Sequence, residues 1–228
     1  MAAYLSEKAA VTCSKNMIIW QKIHNMIRTI LLMTMLLTLT PIVNVAQSDK
    51  YVSFKGSDMP QFFRNSDAGN CFVFANYIIK TDHIDADGDN ISVFRRSPST
   101  NAKSACSVKG TPYLRVPDED NNSFYGMYEK YLFVDSGTSV DSRGLDIYDL
   151  TSRQKIFSDG YMNDAKLVGG RFLIFDAPTD KKGSIKSCPQ AAKWKRQGGG
   201  VGWLQSHQLD LQTLKKTTIG AVHCYYME

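Results

Sequence analysis

Asp85, Asp87 and Asp89 alternate through the turn "HIDADGDNI" as the first three ligands of an EF-hand calcium loop do, and Asn90 can adopt the left-handed backbone such a loop needs. Carboxylate oxygens are hard donors, so Ca2+ is the one metal, and the one cofactor, that the chain suggests. The twelfth position of the loop is Arg96, where a bidentate Glu is required. The same residues therefore read first as a polar hairpin turn built on Asp87-Gly88, with no cofactor expected and a Ca2+ site as the lesser alternative. Asp85 with Asp87 is in addition the carboxylate pair that a hydrolase reading would use for acid–base work.

Nucleophilic catalysis needs a Ser or Cys, a His and an orienting acid within hydrogen-bond reach. Beyond the first 46 residues only His83, His207 and His223 are available. His223 abuts Cys224, but neighbours on a strand face opposite sides, so the two do not form a thiolate–imidazolium couple. No G-x-S-x-G, H-E-x-x-H or Walker-type loop occurs. These features favour a protein without catalysis.

Cys71, Cys106, Cys188 and Cys224 form an even set suited to an oxidising compartment. Three pairings exist for four cysteines. Cys71 with Cys106 and Cys188 with Cys224 each close a loop of about 35 residues around one hairpin, and this local pairing is the favoured one, at roughly 2–4 kcal/mol per bridge. The spacings lack the short step usual for zinc ligands.

A different chemistry lies in "KKGSIKSCPQAAKWKRQGGGVGW". Lys181, Lys182, Lys186, Lys193, Lys195 and Arg196 occur with no acid among them, Trp194 is interleaved, and Trp203 follows. The stretch interrupts a hairpin as a basic loop at about 179–202, and loops of that length inside compact domains tend to be functional or disordered. An aromatic flanked by cations can anchor an acidic partner, which makes Lys193, Trp194, Lys195, Arg196 and Trp203 the candidate partner-binding set. The glycines that follow, Gly198 to Gly200 and Gly202, read as a flexible loop, because "WLQSHQLDLQ" after them looks like a strand and not the helix a phosphate loop opens.

These residues must be positioned by strands. Runs of β-branched and aromatic residues are broken by Asp-Gly and Arg-Gly turns, and helical periodicity is weak apart from a turn near "NSFYGMYEK". Three hairpins share a plan. In "YLFVDSGTSVDSRGLDIYDLTS" (residues 131–152) Leu145, Ile147 and Tyr148 match Ile91, Val93 and Phe94 of residues 71–97; "GRFLIFDAP" parallels "KYLFVDSG", and "LDLQTLKKT" parallels "YDLTSRQKI". The expected fold is all-β: antiparallel hairpin repeats arranged as a partial propeller-like array or a β-sandwich. The strand–turn–"GLDIYDL"–turn–strand pattern resembles the outer hairpin of a β-propeller blade, which implies blade-like sheets, although propellers close with four blades or more.

The N-terminal stretch differs sharply. No charged residue occurs from Thr29 to Ala46, and "TILLMTMLLTLTPIVNVAQ" follows Arg28 in the plan of a signal peptide ending near Ala46, with Met26 as the expected true start. A retained anchor is the alternative, since the segment approaches the roughly 17–25 residues that span a bilayer. Residues 1–46 thus read as a leader and 47–228 as one domain, long enough for a proper core. Without Lys8, Lys15, Lys22, Arg28 and Glu7 the formal charge falls from +5 to +2. Such balance argues against nucleic acid as a partner, and no membrane contact beyond the leader is expected. A small exported β domain with two disulfides resembles, in architecture, the bacterial periplasmic inhibitors and immunity proteins. That likeness implies a periplasmic or secreted protein that neutralises a partner protein, one with an acidic surface or a cell-wall-active enzyme; a secreted hydrolase or calcium-dependent enzyme using Asp85 and Asp87, or a structural envelope component, are the alternatives.

Overall fold

The computed structural model describes residues 53–227 apart from 86–87, 117–120, 138, 140–141, 184–185 and 187, together with the backbone but not the side chains of 84, 85 and 163. The leader-like stretch, Met26, Asp87 and the Asp85 side chain lie outside these residues. All the described residues fall within one unit, Ser48–Glu228.

Twelve strands are present among them: β1 Phe62–Ser66, β2 Gly69–Val73, β3 Tyr77–Asp85, β4 Gly88–Arg95, β5 Leu114–Val116, β6 Ser123–Tyr128, β7 Tyr131–Ser136, β8 Arg143–Asp149, β9 Gln154–Val168, β10 Phe172–Pro178, β11 Gly200–Asp210 and β12 Lys215–Met227. Every strand pairs antiparallel with its neighbour in sequence, giving an open five-stranded sheet (β1 to β5) and an open seven-stranded one (β6 to β12). Two short helices sit in connections: α1 Ala102–Ala105 and α2 Ala191–Arg196.

The larger sheet divides at β9. Residues Gln154 to Tyr161 pair with β8, whereas Met162 to Val168 pair with β10, and no residue of β9 is paired on both sides. The strand therefore turns a corner, and the described residues form a stack of three layers. Alternation along β7 shows why two cores form: Leu132 and Val134 join Phe72, Ile79, Ile91 and Val93 of the first layer, while Tyr131 and Phe133 join Leu167, Leu173, Phe175 and Leu209 of the third. A strand buried on both faces needs apolar residues at consecutive positions, and "YLFV" supplies them.

The three central hairpins share one register. Tyr77 faces Arg95 in β3–β4, Tyr131 faces Asp149 in β7–β8, and Phe172 faces Asp210 in β10–β11. The next residue in each hairpin donates its N–H to the carbonyl just before the facing strand: Arg96 to Asn76 at 2.9 Å, Leu150 to Lys130 at 2.8 Å, and Leu211 to Arg171 at 3.0 Å. Bases of successive layers adjoin, since the Tyr131 hydroxyl donates to Leu211 O at 3.0 Å.

The stack is finished differently at its two faces. On the first layer, Cys71, Val73 and Ile78 are covered by α1 and its flanks, tied down by the Cys71–Cys106 disulfide. On the third, half-buried polar residues such as Asp176, Ser206 and Gln208 end the stack. Phe54 closes the second core; its carbonyl neighbour Lys55 accepts from Leu167 N at 2.8 Å, and Gly56 (φ +93°) lies so close to Leu167 O that a Cβ would meet it at 2.3 Å.

Three local expectations change. "NSFYGMYEK" holds strand β6 and not a helical turn, because Met127 faces the first core while Tyr125 packs on the second. The basic loop contains a helix. The glycines after it are ordered: Gly198 and Gly199 close the helix and Gly200 and Gly202 lie in β11.

Candidate functional site

The insertion between β10 and β11 spans residues 179–199. It leaves the sheet where Thr179 N donates to Trp203 O at 2.9 Å, and the Cys188–Cys224 disulfide ties its middle to β12. Both bridges therefore take the local pairing, which suits an oxidising, extracellular environment.

Helix α2 is short and is capped at its C-terminal end. Gly199 N donates to Trp194 O at 3.1 Å and Gly198 N to Lys195 O at 3.2 Å, with Gly198 at φ +88°, the Schellman arrangement that favours glycine after a helix. Lys193, Lys195 and Arg196 lie in the last turn, where the helix dipole favours cations. The glycine cluster expected to be a flexible loop is thus ordered; a glycine just past the lysine-rich "AAKWKR" is the sequence signal for a helix end. Gly200 and Gly202 belong to β11, and Gly202 is required because Tyr225 crosses it, so a Cβ would come within 2.2 Å of the ring.

The candidate partner-binding residues are brought to this one surface. Lys193, Lys195 and Arg196 are exposed on α2, and Lys181, Lys182 and Lys186 are exposed on the preceding segment. The tryptophans are only half-exposed. Trp194 packs edge-to-face on Tyr226, ring centroids 6.1 Å apart, and so holds α2 against the edge strand β12. Trp203 lies under Gly183, where a Cβ would approach the indole to 2.4 Å. Both indoles act first as struts for the cations. A cleft of about 390 Å³ opens between residues 179–182 and β11–β12, with Trp203 and Tyr225 in its wall and Lys182 at its rim.

The acidic turn is placed at the corresponding tip of the first layer's hairpin. Its Asp85 side chain and Asp87 lie outside the described residues. Asp89 is engaged: its carboxylate pairs with His83 Nδ1, and its N–H donates to Asn122 O at 2.7 Å. No group of three or more His, Cys, Asp or Glu side chains is placed to hold a metal among the described residues. Arg96, the residue at the Glu position of a calcium loop, spends its guanidinium on Phe74 O and Thr100 O, at 2.8 and 2.9 Å.

One cluster that sequence reasoning missed lies on the third layer. Ser206 Oγ donates to Asp176 Oδ1, and His223 Nε2 stands 3.3 Å from Asp176 Oδ2. These are the residue types of an acyl-transfer triad in the wrong order. The imidazole should sit between hydroxyl and carboxylate to take the hydroxyl proton, whereas here the carboxylate sits between the other two. Cross-strand pairing across β10, β11 and β12 produced it, and no spacing in the sequence announces it.

A second missed cluster is partly buried. Arg143 Nε donates to Asp135 Oδ1 at 2.7 Å, and the same carboxylate meets the buried Tyr161. Burial raises the Asp135 carboxyl above its ordinary range against the pull of Arg143, and burial likewise raises the Tyr161 hydroxyl far above its own. Tyr125 Oη accepts from Ala165 N at 3.1 Å beside it. The arrangement satisfies polar groups at the rim of the second core.

No family model matches the chain, and no curated protein or solved structure is significantly similar to it.

Proposed function

We propose that this chain is an exported binding protein that docks an acidic partner protein on the insertion of residues 179–199. The observation that carries the reading is that the described part of the insertion is built, not slack. A capped helix, a disulfide to β12 and two indole struts hold the exposed side chains of Lys193, Lys195 and Arg196 in one place. Fixing a charged loop costs conformational entropy that a solvated loop would keep, and pre-ordered cations lose less on binding.

Lys193, Lys195 and Arg196 meet carboxylates of the partner, with Lys182 at the neighbouring cleft. Such contacts raise the association rate and are screened by salt. Trp194 and Trp203 set the shape of the surface, and the exposed parts of their rings extend it. A periplasmic or secreted location, reached through the leader of residues 1–46, fits the two disulfides, and inhibition of a cell-wall-active enzyme is the activity in view.

The test starts from a partner recovered on the immobilised domain from the extracytoplasmic fraction. Its affinity is then measured against wild type and against Lys193→Glu/Lys195→Glu/Arg196→Glu. Loss of binding at low salt with an unchanged unfolding midpoint supports the reading. Equal affinity of the two proteins rejects it.

A further inference from the structure

The repeated register singles out Arg95. At the position facing the first residue of the hairpin, the second and third layers carry Asp149 and Asp210, each held by a cation just before the facing strand, Lys130 or Arg171. In the first layer that position is Arg95, and the place of the cation is taken by Asn76. The ion pair of the other two layers is therefore absent here, and a positive charge stands where they have a neutralised carboxylate.

Arg95 turns instead to Tyr113. Its Nη2 donates to the Tyr113 hydroxyl at 2.7 Å, and its Cζ lies 4.3 Å from the ring centroid. A second guanidinium reaches the same ring from the second layer: Arg153 Cζ is 5.4 Å from the centroid. Arg153 belongs to the turn between β8 and β9 and is held at φ +61°, a backbone conformation uncommon for a residue with a side chain. Both side chains belong to exposed residues, and among the described residues neither forms an ion pair. Lys130, beside them, is already committed to Asp149 at 2.8 Å.

Two guanidiniums converging on one phenol repel each other, and each retains N–H donors that the ring face does not use. We infer that Arg95, Tyr113 and Arg153 form an oxyanion site that spans the first and second layers and takes a phosphate group, free or as a monoester. A dianion neutralises both cations, which a monocarboxylate does not, and the guanidinium fork suits phosphoryl oxygens. The Tyr113 hydroxyl orients Arg95, and the ring spaces the two forks. This site lies at the bases of the hairpins, so it is separate from the basic insertion at their tips and does not depend on that surface's role.

The test is a side-chain NMR titration of the arginine Nε–Hε signals with inorganic phosphate, methyl phosphate and acetate at constant ionic strength. The expected result is a saturable shift of Arg95 and Arg153 with phosphate and methyl phosphate, no comparable shift of Arg171, and weaker binding of acetate. Arg153→Gln weakens the response of Arg95 by about tenfold, the order expected when one of two charge-assisted contacts is lost. Lys215→Gln, an exposed charge change elsewhere, leaves it unaltered. A shift shared by all arginines, no saturation, acetate binding as tightly as phosphate, or an unchanged Arg95 response in Arg153→Gln would overturn the assignment. Free phosphate binding without methyl phosphate would point to the inorganic ion as the source; methyl phosphate binding equally would point to an ester. Either supports the site.

Discussion

Asp149 and Asp210 occupy one position in two successive layers, and each performs the same three tasks. Each carboxylate meets a cation before the facing strand (Lys130 Nζ at 2.8 Å; Arg171 Nε at 3.0 Å), accepts a backbone N–H two residues on (Thr151 at 2.7 Å; Gln212 at 2.9 Å), and through its own carbonyl receives the N–H of a left-handed residue (Arg153, Leu214) at 2.7 Å. The buried leucine that follows, Leu150 or Leu211, plugs the base of its layer. "DLTSR" and "DLQTL" are thus one turn used twice.

The turn predicts a pH dependence. The Arg171 hydrogen bond holds the Asp210 carboxyl well below the usual range; at Asp149 burial pulls upward, but the Lys130 hydrogen bond and the Thr151 N–H outweigh it and the net shift is downward. A carboxylate with a depressed folded-state pKa contributes stability above its unfolded value, about 3.9, and loses it as pH falls toward the folded value. Urea midpoints should therefore fall below about pH 4. In Asp149→Asn/Asp210→Asn that acid-side decline should be shallower and the neutral midpoint lower.

Leu150→Ala and Leu211→Ala should each cost about 2–5 kcal/mol, the range for emptying a fully buried leucine site. Similar losses in the two variants are expected from the shared register. A loss near zero in either, measured by denaturant unfolding, would show that the two turns are not equivalent.

Leu214 sits at φ +56° and is 39 % exposed. A left-handed residue with a Cβ is strained by roughly 1 kcal/mol relative to glycine, while glycine adds unfolded-chain entropy. Leu214→Gly should therefore leave stability within a few tenths of a kcal/mol of wild type, the relieved strain offsetting the lost contacts of a partly covered side chain, unlike glycine substitutions within β11 or β12.

Much of this plan was legible in the sequence. The parallels of "KYLFVDSG" with "GRFLIFDAP" and of "YDLTSRQKI" with "LDLQTLKKT" survive because each position serves the same backbone geometry, and the register confirms them residue by residue. The local disulfide pairing was legible for a related reason: each pair brackets one hairpin. What the sequence concealed was three-dimensional. The corner in β9 lies one residue past Gly160, but a single glycine inside a long strand does not announce a change of partner strand. The Asp176–Ser206–His223 and Asp135–Arg143–Tyr161 clusters arise from pairing across strands. Helix α2 is too short for periodicity to register, and Trp194 could not be known as a strut without Tyr226 beneath it.

The strut role has its own consequence. Gly183→Val would push into the Trp203 indole, and Cys188→Ser/Cys224→Ser would release the middle of the insertion, while neither changes a charge. Both should lower partner affinity with the cations intact, chiefly through faster dissociation. Affinity unchanged in both variants would mean that the fixed geometry of the insertion is irrelevant to binding.

The most direct test of the central claim is hydrogen exchange on the full domain with and without its captured partner. The account predicts that protection on binding concentrates in residues 181–203 and the end of β12 about Tyr225 and Tyr226, and that it weakens as salt is raised. Protection confined to the first layer, with residues 181–203 exchanging as in the free protein, would contradict it.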